Sequence, residues 1–261
     1  MKMFASERKN IIMQTLQEQE RITVKDLAKE IGVSEATLRT DLSKMEMEGL
    51  LTRTHGGAVL NDEYNNNEMS FSAREKKNKQ EKMQIAKLAS EFVKEKQCIL
   101  LDASSTVLEF ARYLKDQPIR LTVVTSGLQT ALELKDNPDI TVIMVGGLVT
   151  KGSTSIEGTL GVSILDHVHI DVFFTSANGF SIESGLTDFN LYEISLKKEM
   201  IKRSNKVVAL VDSTKIGSNS SSVFAELEQI DALITDQPVN DETYKVLTEH
   251  DIEVITPQEI K

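Results

Sequence analysis

Apolar residues recur at helical spacing through the first fifty residues of the chain, and two short β-prone runs follow them. The pattern predicts three helices: residues 6–19, residues 23–31 with Thr23 as N-cap, and a third helix that begins after Ser34 and runs to about Glu48. Gly32 suits the left-handed residue that ends the second helix. The β-prone runs around Gly56 and Gly57 predict a hairpin over residues 50–61.

The rest of the chain alternates near-continuous apolar runs with helical patterns. A polar, asparagine-rich stretch at 61–70 predicts a linker, and residues 73–96 predict one long helix. The candidate strands are 98–102, 121–126, 141–147, 171–177, 206–212, 231–236 and 253–256. Buried strands that alternate with helices are typical of a mainly parallel sheet covered on both faces. We therefore expect a small helical domain at 1–60, a linker at 61–72 and an α/β domain at 73–261.

Charge is distributed unevenly between these two domains. The chain has a net charge of −10, but residues 1–60 carry nine basic and nine acidic side chains, so the whole negative excess lies beyond them. Of the two domains, the N-terminal one can therefore approach nucleic-acid phosphates without strong repulsion. This neutrality permits DNA binding without indicating it, because most DNA-binding modules are more basic.

Several classes of protein are disfavoured by composition. No apolar run approaches the roughly 20 residues that span a bilayer, and the N-terminus lacks the pattern of a secretory signal. The single cysteine, Cys98, excludes a disulfide framework and is expected to be a buried free thiol. His167 and His169 have no metal-ligand partners at suitable spacing. We expect a cytoplasmic protein with no membrane segment, no metal and no cofactor.

One face of the third helix carries no residue that the core requires. At about 100° per residue, Leu38, Leu42 and Met45 share the core side of this helix. The opposite side and the flanks carry Ala36, Thr37, Arg39, Thr40, Ser43, Lys44 and Met47. Two helices and a hairpin form the layout of a winged helix-turn-helix, in which such a face enters the major groove. The same face also fits an ordinary solvated helix. Asp41 is predicted to pair with a basic residue of the protein, because DNA phosphates repel a carboxylate.

This segment resembles the helix-turn-helix signature of the DeoR family of bacterial sugar-responsive repressors. The resemblance rests on Arg8, Ile12, Leu16, the run Ser34-x-x-Thr37-Leu38-Arg39-x-Asp41-Leu42, and the stretch MEMEGLLTRTHGGAV at 45–59. It implies a winged helix-turn-helix domain that binds double-stranded operator DNA. The expected DNA contacts are Ser34, Ala36, Thr37, Arg39, Thr40, Lys44, Arg53 and His55. Thr40 departs from the family pattern, which usually has a second basic residue at this position.

The resemblance covers essentially the whole chain. It implies that residues 71–236 form an effector domain related to ribose-5-phosphate isomerase and glucosamine-6-phosphate deaminase, which binds a phosphorylated sugar in a homo-oligomer (a dimer or tetramer). The residues support this, because hydroxyls, glycines, carboxylates and lysines follow five strands, where ligands of parallel α/β folds collect. The expected effector contacts are Asp102, Ala103, Ser104, Ser105, Thr106, Thr125, Ser126, Gly127, Gly146, Gly147, Asn178, Asp188, Glu193, Lys197, Asp212 and Lys215.

Some of these residues also have ordinary structural explanations. At 104–106, a phosphate would meet backbone N–H groups and the positive end of a helix dipole, yet serine and threonine also simply cap helices. The glycines at 146–147 and the pair at 178–179 also fit turns. Glu193 and Lys197 are four residues apart, a spacing that also suits a surface ion pair.

Two functions follow from this sequence. The favoured one is a transcriptional repressor of a sugar-catabolism operon, released by a phosphorylated sugar, with residues 73–96 transmitting the signal. The alternative is a sugar-phosphate isomerase or deaminase with an appended domain, in which Asp188, Glu193, Asp212 and Lys215 transfer protons. The N-terminal signature is present in full order, so we expect a regulator and no catalysis.

Overall fold

The computed structural model describes residues 8–9, 11–12, 15–16, 21–47, 51–60, 71–150 and 153–257. The chain divides into two compact units, Met1–Arg74 and Glu75–Lys261. Most of the predicted linker at 61–72 lies outside the described residues, as does the predicted end of the third helix near Glu48. The domain bounds drawn from the sequence therefore stay a prediction.

The N-terminal unit contains two complete helices and a small antiparallel sheet. Its elements are β1 (Arg21–Thr23), α1 (Val24–Ile31), α2 (Glu35–Met47), β2 (Leu51–Thr54) and β3 (Gly57–Leu60), and the described residues between 8 and 16 are also helical. The strands pair in the order β1-β3-β2. The sequence pattern missed β1, since three residues are too few to show an alternation.

The local signals of the first unit are confirmed. The Thr23 hydroxyl accepts a hydrogen bond from the backbone N–H of Asp26 (3.1 Å), and Gly32 ends α1 with a φ of 71°. Leu38 and Leu42 are fully buried among the aliphatic residues of the unit. Gly57 allows β3 to pair closely with β1, because a Cβ at this position would lie 1.8 Å from the carbonyl oxygen of Ile22 in β1.

The C-terminal unit is built on a seven-stranded sheet. After α3 (Phe71–Lys76), which contains the boundary between the units, come α4 (Lys79–Ala89), β4 (Cys98–Leu101), α5 (Ser105–Lys115), β5 (Leu121–Thr125), α6 (Leu128–Leu134), β6 (Ile140–Met144), β7 (Gly146–Leu148), β8 (Glu157–Gly161), β9 (Val172–Thr175), β10 (Gly179–Ser181), β11 (Gly185–Asp188), α7 (Leu191–Lys202), β12 (Val207–Leu210), β13 (Ser222–Ala225), β14 (Ala232–Ile234), α8 (Asp241–Glu249) and β15 (Glu253–Ile255). The large sheet has the order β15-β14-β12-β9-β4-β5-β6. All its neighbouring strands run parallel, as the apolar runs predict.

Helices cover both faces of this sheet. Along β4, Ile99 and Leu101 belong to one buried cluster and Leu100 belongs to the other, as expected for side chains that alternate across a strand. One cluster includes Phe110 of α5, and the other includes Met200 of α7. The carboxyl ends of the parallel strands therefore lie along one edge of a sheet that is packed on both faces.

Two predictions about this unit are wrong in detail. The single helix predicted over 73–96 is divided into α3 and α4, because Asn78 adopts a left-handed conformation (φ 53°) that interrupts the helical hydrogen bonds. The strand predicted over 141–147 ends at Met144, and Gly146 instead begins β7, which pairs antiparallel with β8. A third sheet, β10-β11-β13, is also antiparallel.

Candidate DNA-binding surface and effector site

The outer face of α2 is exposed, as the helical register predicts. Ala36, Arg39, Thr40 and Lys44 are exposed, and Thr37 is half-buried. The side chain of Met47 lies outside the described residues. Small and basic side chains therefore occupy the helix surface that would enter a DNA groove.

Ser34 and Thr37 have a structural task at the start of α2. The Ser34 hydroxyl accepts a hydrogen bond from the backbone N–H of Thr37 (3.1 Å), and the two hydroxyl oxygens are 2.8 Å apart. This is the N-cap arrangement. Both hydroxyls are thereby oriented at the helix end, where backbone N–H groups also favour a phosphate.

Arg39 and Thr40 are engaged by contacts within α2. The Arg39 guanidinium donates to the Glu35 carboxylate (3.1 Å), with about half of each side chain exposed, and the Thr40 hydroxyl donates to the Ala36 carbonyl (3.0 Å). Such an exposed ion pair contributes little to stability, so Arg39 can exchange its partner for a phosphate or base at small cost.

The hairpin formed by β2 and β3 brings another basic side chain beside α2. Arg53 donates through Nη1 to the Ser43 hydroxyl (2.8 Å), and its backbone N–H donates to the Glu46 carboxylate (2.9 Å). His55 is exposed at the turn of the hairpin. The wing and the helix thus form one surface, which includes Arg39 and Arg53.

The prediction for Asp41 is confirmed. Its carboxylate accepts two hydrogen bonds from Arg8, at 2.7 Å from Nε and 3.1 Å from Nη2. The hydrogen bond from Arg8 to Asp41 raises the pKa of the Arg8 guanidinium. This partly buried pair joins the first helical segment to α2.

In the C-terminal unit, a buried lysine stands at the centre of the strand-end residues. The Lys197 ammonium, carried by α7, lies 2.9 Å from an Asp188 oxygen, 3.2 Å from an Asp102 oxygen and 2.8 Å from the Ser176 carbonyl oxygen. Its nitrogen also lies 4.6 Å from the centre of the Phe224 ring. Lys197 is therefore a buried cation and not the surface member of a helical pair.

The carboxylates decide the charge state of Lys197. Burial lowers the pKa of Lys197, whereas the negative charges of Asp188, Asp102 and Glu193 raise it. The carboxylates have the larger effect, so the pKa lies above its usual value. Asp102 is itself held by the backbone N–H groups of Ser104 (2.8 Å) and Ser176 (3.0 Å). Three carboxylates surround one ammonium, so this cluster carries a surplus of negative charge.

A small cavity lies beside this cluster. It is lined by Ala103, Ser126, Ile156, Glu193, Leu196, Lys197 and Met200. Glu193 accepts hydrogen bonds from the Ser155 hydroxyl (2.9 Å) and from the Asn190 side chain (3.2 Å). The segment 153–157, which holds Ser155 and Ile156, was missed because it follows no strand of the large sheet.

The hydroxylated loop between β4 and α5 closes the cavity on another side. The Ser104 hydroxyl accepts a hydrogen bond from the N–H of Val107 (3.3 Å), so Ser104 caps α5. Ser105 and Thr106 are almost completely buried. A Cβ on Gly127 would lie 3.2 Å from the Ala103 Cα, so the β5–α6 turn packs closely on this loop. The Thr125 hydroxyl fixes that turn by accepting a hydrogen bond from the Gly127 N–H (3.0 Å).

Asp212 and Lys215 form a second cluster, at the end of β12. The Lys215 ammonium lies 3.3 Å from one Asp212 oxygen, and the other oxygen accepts hydrogen bonds from the Asn78 side chain (3.0 Å) and from Thr214. Burial raises the pKa of Asp212, but Lys215 and the hydrogen bonds from Thr214 and Asn78 outweigh it and lower the pKa. Asn78 was not among the predicted site residues, because it lies in a segment with a helical pattern.

Three other predicted residues have contacts within or beside the small antiparallel sheets. Gly146 and Gly147 are exposed in β7, where Gly146 lies against Gly161 of β8. Asn178 donates its backbone N–H to the Thr187 carbonyl (2.9 Å) within the β10-β11 pair. The structure thus gives these residues backbone roles in the small antiparallel sheets.

In the part of the chain that the structure describes, no group of three or more His, Cys, Asp or Glu side chains is placed to hold a metal ion. No helix of that same part combines the length and the apolarity needed to cross a membrane. Cys98 is a free thiol, half-buried instead of fully buried, and burial raises its pKa to about 11.

Comparison with known proteins agrees with the geometry of both units. The "DeoR-like helix-turn-helix domain" matches residues 8–64, and the "DeoR C terminal sensor domain" matches residues 77–237. The chain belongs to the DeoR family. It is therefore a transcriptional regulator with a DNA-binding domain, and the predicted family and fold class are confirmed.

Relatives within the DeoR family match over nearly their whole length. The HTH-type transcriptional regulator GolR of Listeria innocua is 48% identical over 93% of this chain and 95% of its own. The HTH-type transcriptional repressor GlcR of Bacillus subtilis is 32% identical over 98% of each chain. The L-fucose operon activator of Haemophilus influenzae is 32% identical over 94% of this chain and 97% of its own.

The DeoR-family sensor match also contains every effector contact that the sequence predicts, from Asp102 to Lys215. A solved structure of D-ribose-5-phosphate isomerase in complex with phospho-erythronic acid is similar to 53% of this chain and 54% of that chain, at 22% identity and a TM-score of 0.41. A likeness of this extent supplies no argument about function.

Proposed function

We propose that this protein represses a sugar-catabolism operon and that a phosphorylated sugar, bound in the C-terminal unit, releases it from operator DNA. The observation that carries the proposal is the buried Lys197 cluster beside the start of α5, in the same chain as a winged helix-turn-helix. Relatives named as a repressor and as a putative aga operon transcriptional repressor support this direction. The protein acts as a homo-oligomer, a dimer or a tetramer.

The DNA contacts belong to the outer face of α2 and to the wing. Arg39, Lys44 and Arg53 supply positive charge for phosphates and base edges, and Ala36 and Thr40 allow the helix backbone to approach the groove. His55 lies at the turn of the wing and extends its surface. Ser34 and Thr37 lie at the N-terminus of α2, where backbone N–H groups bind a phosphate.

Charge orients the sugar phosphate in its site. The surplus of carboxylates around Lys197 repels a phosphate but accepts hydrogen bonds from sugar hydroxyls, so the sugar lies toward Glu193 and Asp188. The phosphate lies at the first turn of α5, where backbone N–H groups and the helix dipole stabilise an anion. Ser105 is the first residue of α5, and it is buried at this turn. Because Ser105 is almost completely buried, binding requires the residues that cover it to move.

Ligand binding is transmitted from the site by residues that contact the start of the C-terminal unit. Asn78, which divides α3 from α4, donates a hydrogen bond to Asp212. Glu75 of α3 accepts a hydrogen bond from Arg112 of α5 (2.7 Å). A ligand that rearranges the ends of β12 and α5 therefore changes the contacts of α3. A difference of about 1–3 kcal/mol in affinity between two arrangements is enough for a useful response.

A thermal-shift screen tests the ligand class. Hexose and pentose phosphates are compared with the same sugars lacking phosphate. A phosphorylated ligand at about 100 times its Kd stabilises the folded state by roughly 2.7 kcal/mol. That corresponds to an increase of roughly 5–10 °C in Tm for a unit of this size. An equal shift with the unphosphorylated sugar would contradict the proposal.

A matched pair of variants tests the position of the phosphate. Ser105→Ala is expected to reduce the shift at a given ligand concentration without changing DNA affinity. Ser195→Ala is the control, because Ser195 is exposed on α7 and its hydroxyl donates to the Leu191 carbonyl. Equal responses of the two variants would place the phosphate elsewhere.

The contacts of Asp188 and Asp212 bear on the enzymatic alternative. A carboxylate that acts as a general base needs a raised pKa, but although burial raises the pKa of Asp212, Lys215 and the hydrogen bonds from Thr214 and Asn78 lower it, and Asp188 is held in an ion pair with Lys197. The site is therefore proposed to bind its ligand without converting it. Incubation of the purified protein with sugar phosphates, followed by product analysis, would contradict this if turnover were found.

A further inference from the structure

Three polar side chains, Arg39, Ser43 and Glu46, lie along one stripe of α2. They are four and then three residues apart, a spacing that places side chains on one face of a helix. Ser43 and Glu46 both contact Arg53 of β2, so this stripe faces the wing. Arg39 belongs to the proposed DNA contacts, whereas Ser43 and Glu46 do not, and their contacts with Arg53 suggest a different task.

The Ser43 hydroxyl connects the two arginines. It donates a hydrogen bond to the Arg39 carbonyl (2.9 Å) and accepts one from Nη1 of Arg53 (2.8 Å). A hydroxyl has one donor, which the carbonyl engages here, so the oxygen is an acceptor toward the guanidinium. A guanidinium has five N–H groups, so the contact with Ser43 leaves donors of Arg53 for a phosphate. Ser43 therefore orients Arg53 without using its whole binding capacity.

Glu46 holds the backbone of the same wing residue. The sheet order β1-β3-β2 places β2 at an edge, and an edge strand has N–H groups that no neighbouring strand accepts. The Glu46 carboxylate accepts a hydrogen bond from one of them, the backbone N–H of Arg53 (2.9 Å). DNA phosphates repel a carboxylate, so Glu46 is unsuited to a DNA contact of its own. Its contact fixes the strand of the wing against α2.

These contacts matter more for orientation than for stability. Arg53 and Glu46 are exposed and Ser43 is half-buried, and hydrogen bonds between exposed groups contribute little to the net free energy of folding. An arginine side chain has several rotatable bonds, however, and ordering such a side chain during association weakens binding. Because Ser43 and Glu46 already order Arg53 in the free protein, DNA binding loses less conformational entropy.

We propose that Ser43 and Glu46 are positioning residues, which fix Arg53 relative to α2 so that Arg39 and Arg53 approach DNA at one set spacing. The inference rests on the proposed function, with Arg53 of the wing at a backbone phosphate. Ser43 and Glu46 act through Arg53 and do not contact DNA themselves. Their removal therefore weakens binding by letting Arg53 move, while the number of phosphate contacts stays the same.

Fluorescence anisotropy of the full chain on the DNA upstream of its own gene, at a series of salt concentrations, tests the role of Ser43. Ser43→Ala is expected to raise the Kd roughly 3–10-fold with an unchanged salt dependence, and Ser43→Thr, which keeps the hydroxyl, to bind like the wild type. Arg53→Ala is expected to raise the Kd further and to reduce the salt slope by about 1. In the double variant Ser43→Ala/Arg53→Ala, the serine substitution should have no additional effect.

A charge-matched pair of variants tests Glu46 in the same assay. Glu46→Gln and Glu46→Met each remove one negative charge, so both change the attraction to DNA equally. Glutamine keeps an oxygen that accepts the Arg53 N–H, and methionine does not. The Kd of Glu46→Met is therefore expected to exceed that of Glu46→Gln by roughly 3–10-fold. Both should unfold within about 2 °C of the wild type, because Glu46 is exposed.

Several results would overturn the inference while DNA binding itself stands. An effect of Ser43→Ala that persists in the Arg53→Ala background would show that Ser43 acts independently of Arg53. Equal Kd values for the two Glu46 variants would show that the acceptor oxygen has no role, and this pair decides alone if a Ser43 variant does not fold. Wild-type affinity of Arg53→Ala would remove the wing arginine from the DNA surface. Failure of the wild type to bind would contradict the proposed function and the inference together.

Discussion

Replacing Lys197 by methionine tests whether this buried ammonium stabilises the carboxylates of the candidate effector site. The change leaves Asp102 and Asp188 buried next to each other without their shared cation. Removing one partner of a buried ion pair costs about 3–5 kcal/mol. For a unit of this size, 1 kcal/mol shifts Tm by roughly 2–4 °C, so we expect a decrease of about 6–20 °C.

The pH dependence of Lys197→Met gives a second, independent signature. In the wild type the raised pKa of Lys197 contributes stability that is complete below the unfolded pKa of about 10.4 and is lost as pH rises through the higher folded value. This contribution is therefore constant between pH 5 and 8. The difference in stability between wild type and variant should therefore stay constant from pH 5 to 8 and narrow as pH rises above about 10.4.

Thermal unfolding followed by far-UV circular dichroism measures both effects. Lys198→Met is the matched control, since Lys198 is the next residue of α7 and is exposed, and its Tm should stay within about 2 °C of the wild type. The double variant Lys197→Met/Asp188→Asn should recover part of the loss. A Tm of Lys197→Met equal to that of the control would show that the buried carboxylates do not depend on Lys197.

Three further predictions concern the other contacts. Arg39→Ala should weaken operator binding in a gel shift by roughly 10-fold or more while Tm stays nearly unchanged, because the residue is exposed; unaltered affinity would remove Arg39 from the DNA surface. Asn78→Ala, which removes a hydrogen bond to Asp212, should leave DNA affinity intact and reduce effector-induced release, and a wild-type response would exclude this route. Gly127→Ala should destabilise by about 1–3 kcal/mol in urea unfolding, because its Cβ would lie 2.8 Å from the Thr130 hydroxyl; a neutral result would show that the turn can relax.

Much of the N-terminal unit follows from local sequence. Caps, helix lengths and the buried side of α2 depend on neighbours within a few residues, and Thr23, Gly32 and Leu38 therefore act as the pattern predicts. The strand β1 depends on pairing with β3, more than thirty residues away in the chain, and three residues leave no periodic signal.

The candidate effector site was predictable to the extent that it lies at strand ends. Asp102 and Lys197 were expected at the carboxyl edge of a parallel sheet, and the structure joins them. Ser155 and Asn78 were not expected, because Ser155 lies between strands of a small ribbon and Asn78 interrupts a helical pattern through its own backbone conformation. Such contacts depend on the tertiary arrangement, which periodicity does not encode.

We propose that a phosphorylated sugar in the C-terminal unit controls DNA binding by the N-terminal unit. Fluorescence anisotropy of the full chain on the DNA upstream of its own gene tests this most directly, with the sugar phosphate selected by thermal shift. We predict a Kd for DNA that rises roughly 5–150-fold at saturating sugar phosphate and stays constant with the unphosphorylated sugar. A Kd that does not change with the sugar phosphate would contradict the account.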